Sequence, residues 1–190
     1  MDGELALTAH YRALERAGIR PGVTLGSDDL RDALAAAREQ DAYRIAVDVL
    51  AGRDRTEAEL VRLLESREFP QPTVATVLGR LRDKGLIDDR RYAEGYVRTQ
   101  SERRGLGPAA LRARLVGLGV ASETIDEALA AWLPEDKQRE IIEKVARKRL
   151  PRLRRSQGDN ARPRLYAFIV RRGFDHDLAM QVLDGCLGGE

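Results

Sequence analysis

Two adjacent aspartates, Asp88 and Asp89, are the residues in this sequence that most resemble a catalytic or metal-binding pair. Neighbouring carboxylates can hold a metal ion or exchange protons with a substrate. A structural role explains them better, because Asp88 stands where a helix N-cap belongs. Asp89 then falls in the first helical turn, which favours negative charge. We therefore predict that both aspartates initiate a helix and perform no chemistry.

The other residue types that could do chemistry lack the partners that they need. The chain has two histidines, His10 and His176, and one cysteine, Cys186. These are too few for a zinc site or an internal disulfide. Neither of the phosphate-binding patterns GxxxxGK[S/T] and GxGxxG occurs. We therefore expect no enzymatic activity, no ATP binding, no metal and no cofactor.

The strongest chemical signal is a concentration of positive charge near the carboxyl end. The net charge of the whole chain is only +2, but residues 144–172 contain eleven basic residues against Asp159 alone. A solvated helix face normally interleaves both signs, so this excess indicates an anionic partner, either a phosphate backbone or an acidic protein surface. The predicted binding residues here are Lys144, Arg147, Lys148, Arg149, Arg152, Arg154, Arg155, Arg162, Arg164, Arg171 and Arg172.

Further candidates lie outside and within this basic stretch. The sequence adds Arg53, Arg55, Arg90 and Arg91 as possible partner-binding residues. Pairing with nearby carboxylates such as Asp54 and Glu57 is the alternative for these arginines, and the sequence leaves both interpretations open.

Tyr166 and Phe168 could stack on nucleic-acid bases. The helical spacing of Phe168 from its apolar neighbours favours the core instead.

An internal repeat of about 50 residues must position these side chains. Five apolar positions recur three times at offsets of 0, 4, 9, 14 and 18. The three sets are Leu60, Leu64, Phe69, Val74 and Leu78; Leu111, Leu115, Val120, Ile125 and Leu129; and Leu165, Ile169, Phe174, Ala179 and Leu183. The first two positions lie one turn apart on one helix, the last two on the next helix, and the middle residue fills the turn between them.

Capping signals and a further apolar helix complete each repeat. Thr56 and Glu59 form a capping box before the second helix of the first repeat, and Pro108 suits the first position of the matching helix in the second. The leading helices are predicted at Tyr43–Ala51, Arg90–Arg103 and Asp136–Arg149. The closing helices are predicted to begin near Gln71–Thr73, Ser122 and Asp175.

The sequence therefore predicts an all-α fold of three tandem three-helix, helix-turn-helix-like repeats in an elongated, curved array. We place the repeats at residues 41–87, 88–134 and 135–190, the last being basic, after an N-terminal extension over residues 1–40. The extension is predicted to hold a short apolar element near residues 5–14 and a helix over Ser27–Ala37. No apolar run approaches the roughly 20 residues that cross a membrane, and no export signal is visible, so we expect a cytoplasmic protein.

Four segments resemble the signature motifs of one bacterial family. Leu86–Ala93 (LIDDRRYA) resembles the pattern L-I/L-D-D-x-x-F/Y-A, and Ala51–Leu60 (AGRDRTEAEL) resembles L-x-x-R-x-R-S/T-x-x-E-L. Arg104–Leu115 resembles G-x-x-x-I/L-x-x-x-L. Leu118–Leu129 resembles K-G-I/V-x-x-x-x-I-x-x-A-L, with Leu118 where lysine is usual. Over about residues 41–187 the chain is similar to the RecX family, modulators of the RecA recombinase.

The resemblance implies a curved molecule of three-helix repeats that binds RecA, both free and assembled on single-stranded DNA. It also implies that the protein mostly inhibits filament growth, ATP hydrolysis, strand exchange and SOS induction. The expected partners are RecA, the RecA–DNA filament and, weakly and without sequence specificity, single- or double-stranded DNA. We expect a monomer with no membrane partner.

Two other functions fit the repeat pattern. A helix-turn-helix DNA-binding regulator would send the second helix of its motif into the major groove. The candidate helices that begin at Ser122 and Asp175 open with acidic residues, which phosphates would repel. A generic helical-repeat adaptor is the third possibility.

Overall fold

The described residues of the computed structural model are 26–157 and 160–187, and within these ranges the chain is helical without strands. The predicted all-α fold is confirmed. The helices are α1 (Ser27–Gly52), α2 (Glu57–Glu65), α3 (Gln71–Asp83), α4 (Asp89–Arg104), α5 (Pro108–Leu118), α6 (Ser122–Trp132), α7 (Glu135–Gln157), α8 (Ala161–Arg171) and α9 (His176–Leu187). The short element predicted near residues 5–14, His10 and the side chain of Cys186 lie outside the described part.

The chain divides into two compact units between Asp88 and Asp89. In the first unit, α1, α2 and α3 enclose one apolar core. In the second unit, α4 to α9 share a single continuous core, so the second and third three-helix repeats are packed as one body. Fourteen of the fifteen repeat anchors are buried, and the remaining one, Phe69, packs partly buried against the first core. The predicted core positions are confirmed.

Capping interactions define the helix starts as the sequence predicted. The Thr56 hydroxyl accepts a hydrogen bond from the Glu59 backbone N–H at 3.2 Å, and the Glu59 carboxylate accepts one from the Thr56 N–H at 3.2 Å. Before α9, the Asp175 carboxylate accepts the backbone N–H groups of Asp177 and Leu178 at 2.8 and 3.1 Å. These bonds satisfy donors that the first turn of a helix leaves unpaired.

The helices predicted separately over Ser27–Ala37 and Tyr43–Ala51 form one continuous helix, α1. The separate prediction was wrong because residues 38–42 (REQDA) contain neither glycine nor proline and consist of residues that a helix tolerates. One helix therefore crosses position 40, the predicted end of the N-terminal extension.

Helix α7 extends to Gln157, well beyond its predicted end at Arg149. Pro151 lies inside it and removes one helical hydrogen bond, which is the usual reason to expect a helix to end. The helix continues because Leu150 and Leu153 pack against the core of the second unit. As a result Arg152 stands on a helix, one turn after Lys148.

A close backbone contact joins Gly107, before α5, to Gly173, after α8. The Gly107 N–H donates to the Arg172 carbonyl at 2.8 Å, and the Ala109 N–H donates to the Gly173 carbonyl at 3.0 Å. A Cβ added at Gly107 would lie 2.5 Å from the Gly173 carbonyl oxygen, and one added at Gly173 would lie 2.3 Å from the Ala110 nitrogen. Gly173 also has a φ of +87°. Only glycine meets both requirements there, so this contact locks the second repeat to the third.

Replacing Gly173 with alanine should destabilise the second unit by about 2–6 kcal/mol. The left-handed backbone costs a non-glycine residue about 1–3 kcal/mol, and overpacking against Ala110 adds about 1–3 kcal/mol. Urea denaturation followed by circular dichroism measures the change. Gly95→Ala is the matched control, because that glycine lies inside α4 with open space around it and should gain about 0.5–1 kcal/mol. Equal stabilities of the two variants would contradict the assignment.

Candidate anion-binding site

One face of α7 carries a stripe of basic side chains. Lys137, Lys144, Lys148 and Arg152 lie on this face, since their spacings combine steps of three and four residues along a helix. Arg149 extends the stripe sideways, and the aliphatic residues at positions 141 and 145 form its apolar floor. The stripe therefore presents several ammonium and guanidinium groups above a nonpolar base.

This stripe forms one wall of a cleft of about 440 Å³ in the second unit. Arg103 and Arg104, in the last turn of α4, and Arg172, which follows α8, complete the basic lining. Among the described residues, eight basic side chains thus surround the cleft, against two acidic ones, Glu102 and Glu140. Side chains from the second and third repeats contribute together.

Most of the basic side chains in the cleft have no acidic partner among the described residues. Lys137 pairs with Glu140 at 2.8 Å, and that hydrogen bond raises the pKa of Lys137. Across residues 26–157 and 160–187, no carboxylate lies within ion-pair distance of Lys144, Lys148 or Arg149. The same is true of the other four arginines that line the cleft. A concave surface with this excess of positive charge attracts anions.

Phe168 contacts two of these arginines. The guanidinium carbons of Arg149 and Arg172 lie 3.8 and 4.6 Å from the centroid of its ring. Such cation–π contacts compensate part of the repulsion between like charges. Partial burial lowers the pKa of Arg172, and the nearby charges of Arg149 and Arg114 lower it further. Arg172 nevertheless keeps its charge in neutral solution, because a guanidinium group is not deprotonated there, so it can receive an anion.

The two aromatic candidates for base stacking are both engaged within the protein. Phe168 packs against the core of the second unit and carries the two guanidinium groups, consistent with the predicted core position. The Tyr166 hydroxyl lies 2.7 Å from Nδ1 of His176, and the two rings meet edge to face. Tyr166 does not line the cleft.

The structure separates the basic residues of the carboxyl-terminal stretch into three groups. Lys144, Lys148, Arg149, Arg152 and Arg172 line the cleft. Arg147 pairs with Glu143 at 2.8 Å, and Arg162 pairs with Asp184. Arg154, Arg155, Arg164 and Arg171 are exposed and lie outside the cleft lining. Only the first group is brought together around one cavity.

The four candidate arginines outside this stretch are absent from the cleft lining. Arg90 lies 3.3 Å from Glu94 and 3.7 Å from Glu127, and Arg91 is exposed. In the first unit, both Arg53 and Arg55 contact Glu59, as described below. None of these four residues lines the cavity.

Glu59 is the acceptor for both arginines of the first unit, rather than Asp54 or Glu57, which the sequence analysis considered. Its Oε1 atom lies 2.9 Å from Arg53 and 3.1 Å from Arg55. Burial acts to raise the pKa of Glu59, but the Thr56 backbone hydrogen bond and the two guanidinium charges outweigh it. The pKa of Glu59 is therefore lowered, and the carboxylate joins the helix cap to both arginines.

Three basic residues of the cleft were absent from the predicted set: Arg103, Arg104 and Lys137. The spacing along α7 is a signal that could have identified Lys137. The two arginines of α4 reach the cleft only through the packing of the second repeat on the third, which no local pattern displays.

Among the described residues, no group of three or more His, Cys, Asp or Glu side chains could hold a metal ion. None of the described helices has the length and hydropathy of a membrane span.

Comparison with known proteins identifies one family along the chain. Three family profiles, described as the first, second and third three-helix domains of RecX, match residues 42–81, 88–129 and 135–183. The chain is 32% identical over 183 residues to the "Regulatory protein RecX" of Levilactobacillus brevis, covering 96% of this chain and 68% of that one. It is 36% identical over 160 residues to the protein of the same name from Mycobacterium sp. (strain KMS), covering 80% and 85% of the two chains.

Solved structures agree with this relationship. A crystal structure of regulatory protein RecX is similar with a TM-score of 0.76 and 27% identity, covering 96% of this chain and 90% of that one. The crystal structure of RecX from Lactobacillus salivarius shares the fold with a TM-score of 0.73 and 24% identity, over 80% of this chain and 97% of that one.

Replacing Glu59 with glutamine should lower the free energy of unfolding at neutral pH by about 0.5–1 kcal/mol. Glutamine can still accept the Thr56 N–H, so the variant removes mainly the charge that Arg53 and Arg55 contact. A lowered carboxyl pKa contributes stability above the ordinary value of 4.5, and this is lost as the pH falls through the lowered value. Urea denaturation of the full chain should therefore show a difference in free energy of unfolding between the original protein and the variant at pH 7. This difference should disappear as the pH falls to 3.

The matched control for this measurement is Glu65→Gln. Glu65 ends the same helix, α2, and is exposed. Its replacement should leave the free energy of unfolding within about 0.5 kcal/mol of the original value. A Glu59→Gln variant whose deficit is the same at pH 3 and pH 7 would exclude the proposed electrostatic role.

Proposed function

Because the chain belongs to the RecX family, we propose that it is a regulatory protein that binds the RecA recombinase, both free and assembled on single-stranded DNA. In this role it mostly inhibits filament growth, ATP hydrolysis, strand exchange and SOS induction. The observation that carries the proposal is the succession of all three RecX three-helix domains within residues 42–183.

The cleft of the second unit gives this role a chemical basis. Its eight basic and two acidic residues leave an excess of six positive charges on one concave surface. Such a surface attracts the phosphates of DNA or an acidic protein surface from a distance and holds them on contact. Arg154, Arg155, Arg164 and Arg171 are exposed outside the cleft lining and remain proposed partner contacts. Arg53, Arg55, Arg90 and Arg91 remain proposed partner contacts elsewhere on the chain.

We propose that regulation occurs by occupation of a surface and requires no catalytic turnover. A protein bound along the RecA–DNA filament hinders the addition of RecA subunits and the access of a second DNA molecule. Binding of this kind depends on the ratio of regulator to RecA, and it needs neither a cofactor nor a metal. The role places the protein in the cytoplasm, acting as a monomer.

The contacts of α3 argue against the helix-turn-helix regulator. Of the three closing helices, α3 is the one with suitable charge, but its basic residues are already engaged in the first unit. Arg80 and Lys84 lie 4.4 and 5.1 Å from the centroid of the Tyr43 ring, and Arg82 lies 3.8 Å from Glu57. Base readout needs side chains that are free to reach base edges in the major groove.

Adding this protein to RecA on single-stranded DNA should suppress ATP hydrolysis at less than one molecule per RecA subunit, because each bound molecule blocks further growth of a filament. Phosphate release measures the rate, and electron microscopy measures filament length in the same samples. The DNA is kept in excess over all binding sites, so that DNA sequestration cannot account for the loss of activity. An unchanged rate and filament length at saturating protein would refute the proposed function.

A further inference from the structure

We propose that the cleft between α4, α7 and α8 binds the sugar–phosphate backbone of single-stranded nucleic acid, contacting two or more adjacent phosphates without reading the bases. The inference rests on the proposed function in one respect: it assigns the nucleic-acid contact of the regulator to this single cavity. Its four supports are the charge of the lining, the arrangement of its arginines, its size and the absence of a stacking surface.

The charge and its arrangement favour phosphates over other anions. Along α7, Lys144, Lys148 and Arg152 follow one another at four-residue intervals, a rise of about 6 Å each, and form a row of positive groups. Arg149 and Arg172 both contact the ring of Phe168, which restricts their motion before any ligand binds. Guanidinium groups bind phosphate oxygens through two parallel hydrogen bonds, so a prearranged pair suits neighbouring phosphates.

The size and concavity of the cleft favour a single strand over a duplex. A cavity of about 440 Å³ falls within the range of sites for small ligands, about 300–1,000 Å³, and therefore holds only a short piece of backbone. A duplex keeps its two backbones apart by a minor groove about 6 Å wide and a major groove about 12 Å wide, so it cannot enter as a whole. A single strand can bend its backbone into the cavity.

The described lining offers no free stacking surface and no amide or hydroxyl side chain with which to distinguish adenine from thymine. Single-strand binding proteins commonly stack bases on aromatic side chains, but the one aromatic residue of the lining, Phe168, carries two guanidinium groups. The described residues of the lining include no Asn, Gln, Ser, Thr or Tyr. Sequence specificity requires such contacts to base edges, whereas phosphate contacts carry no sequence information. Adenine and thymine strands should therefore bind equally.

The test compares two double variants of the full chain that change its net charge equally. Lys148→Glu with Arg152→Glu alters the cleft, and Arg164→Glu with Arg171→Glu alters exposed positions outside it. Fluorescence anisotropy measures the binding of a thymine oligonucleotide of about 12 nucleotides, within the site sizes of single-strand binding proteins. Circular dichroism confirms that each variant is folded, which the exposure of all four side chains leads us to expect.

We expect the cleft variant to lose at least about tenfold in affinity at low salt and the control variant to lose less than about threefold. The slope of log affinity against log salt should fall by about 1.4 in the cleft variant, since each lost phosphate contact on a single strand accounts for about 0.7. Unlabelled triphosphate should displace the oligonucleotide from the original protein, and a duplex of the same length should bind more weakly.

Several results would overturn the proposal. Equal losses in the two variants would show that overall charge, and not the cleft, governs binding. A duplex that binds as tightly as the single strand would remove the argument from size, and a strong preference between adenine and thymine would show that bases are read. If the cleft variant loses affinity for a glutamate-rich peptide but keeps its affinity for the oligonucleotide, the ligand of the cleft is an acidic protein.

The RecA assay separates this inference from the proposed function. If the cleft variant binds the oligonucleotide normally but the original protein still suppresses RecA, the inference fails and the proposed function stands. If the cleft variant loses the oligonucleotide while the original protein leaves RecA unaffected, the inference stands and the proposed function fails.

Discussion

The backbone contact between Gly107 and Gly173 is the constraint on which the second unit depends. Two hydrogen bonds cross it, and the space available admits no side chain at either position. The contact sets the distance between the second and third repeats, and the shared core fills the remaining space. The end of α4 is thereby fixed beside α7 and α8. Without the close contact between these two glycines, the arginines of α4 and α7 would belong to two separate surfaces.

The accumulation of like charge around the cleft has a physical cost that the protein partly compensates. Repulsion among neighbouring cations disfavours the folded state at low salt, and the lowered pKa of Arg172 reflects both its burial and its charged neighbours. Other arginines are paired in both units, as in the contacts of Glu59 with Arg53 and Arg55 and of Glu143 with Arg147. The contrast therefore lies between the cleft and the rest of the described surface, because the cleft keeps most of its charges available for a partner.

Local pattern was sufficient to predict most of the fold. The offsets of the repeat anchors depend on helical geometry alone, so the apolar positions and the helix caps at Thr56 and Asp175 could be predicted residue by residue. The lengths of α1 and α7 could not. In α1 the absence of a helix-breaking residue was missed, and in α7 core packing of Leu150 and Leu153 overrides Pro151.

The candidate site was predictable only in part, for a different reason. The basic stretch identified the charge of the site, but composition treats every arginine within it alike. The structure separates Arg147 and Arg162, which have acidic partners, from Lys148 and Arg149, which line the cleft. Arg103 belongs to the site through a tertiary contact that links glycines 66 positions apart, and such a contact leaves no periodic signal in the sequence.

The shared core also determines the order in which the chain can fold during synthesis. When the ribosome has completed α6, Ala110 still lacks Gly173, which lies against it in the finished unit. Repeat arrays in which each repeat contacts only its neighbours can grow one repeat at a time. Because the six helices of the second unit share one core, we expect this part of the chain to fold and unfold as one cooperative body.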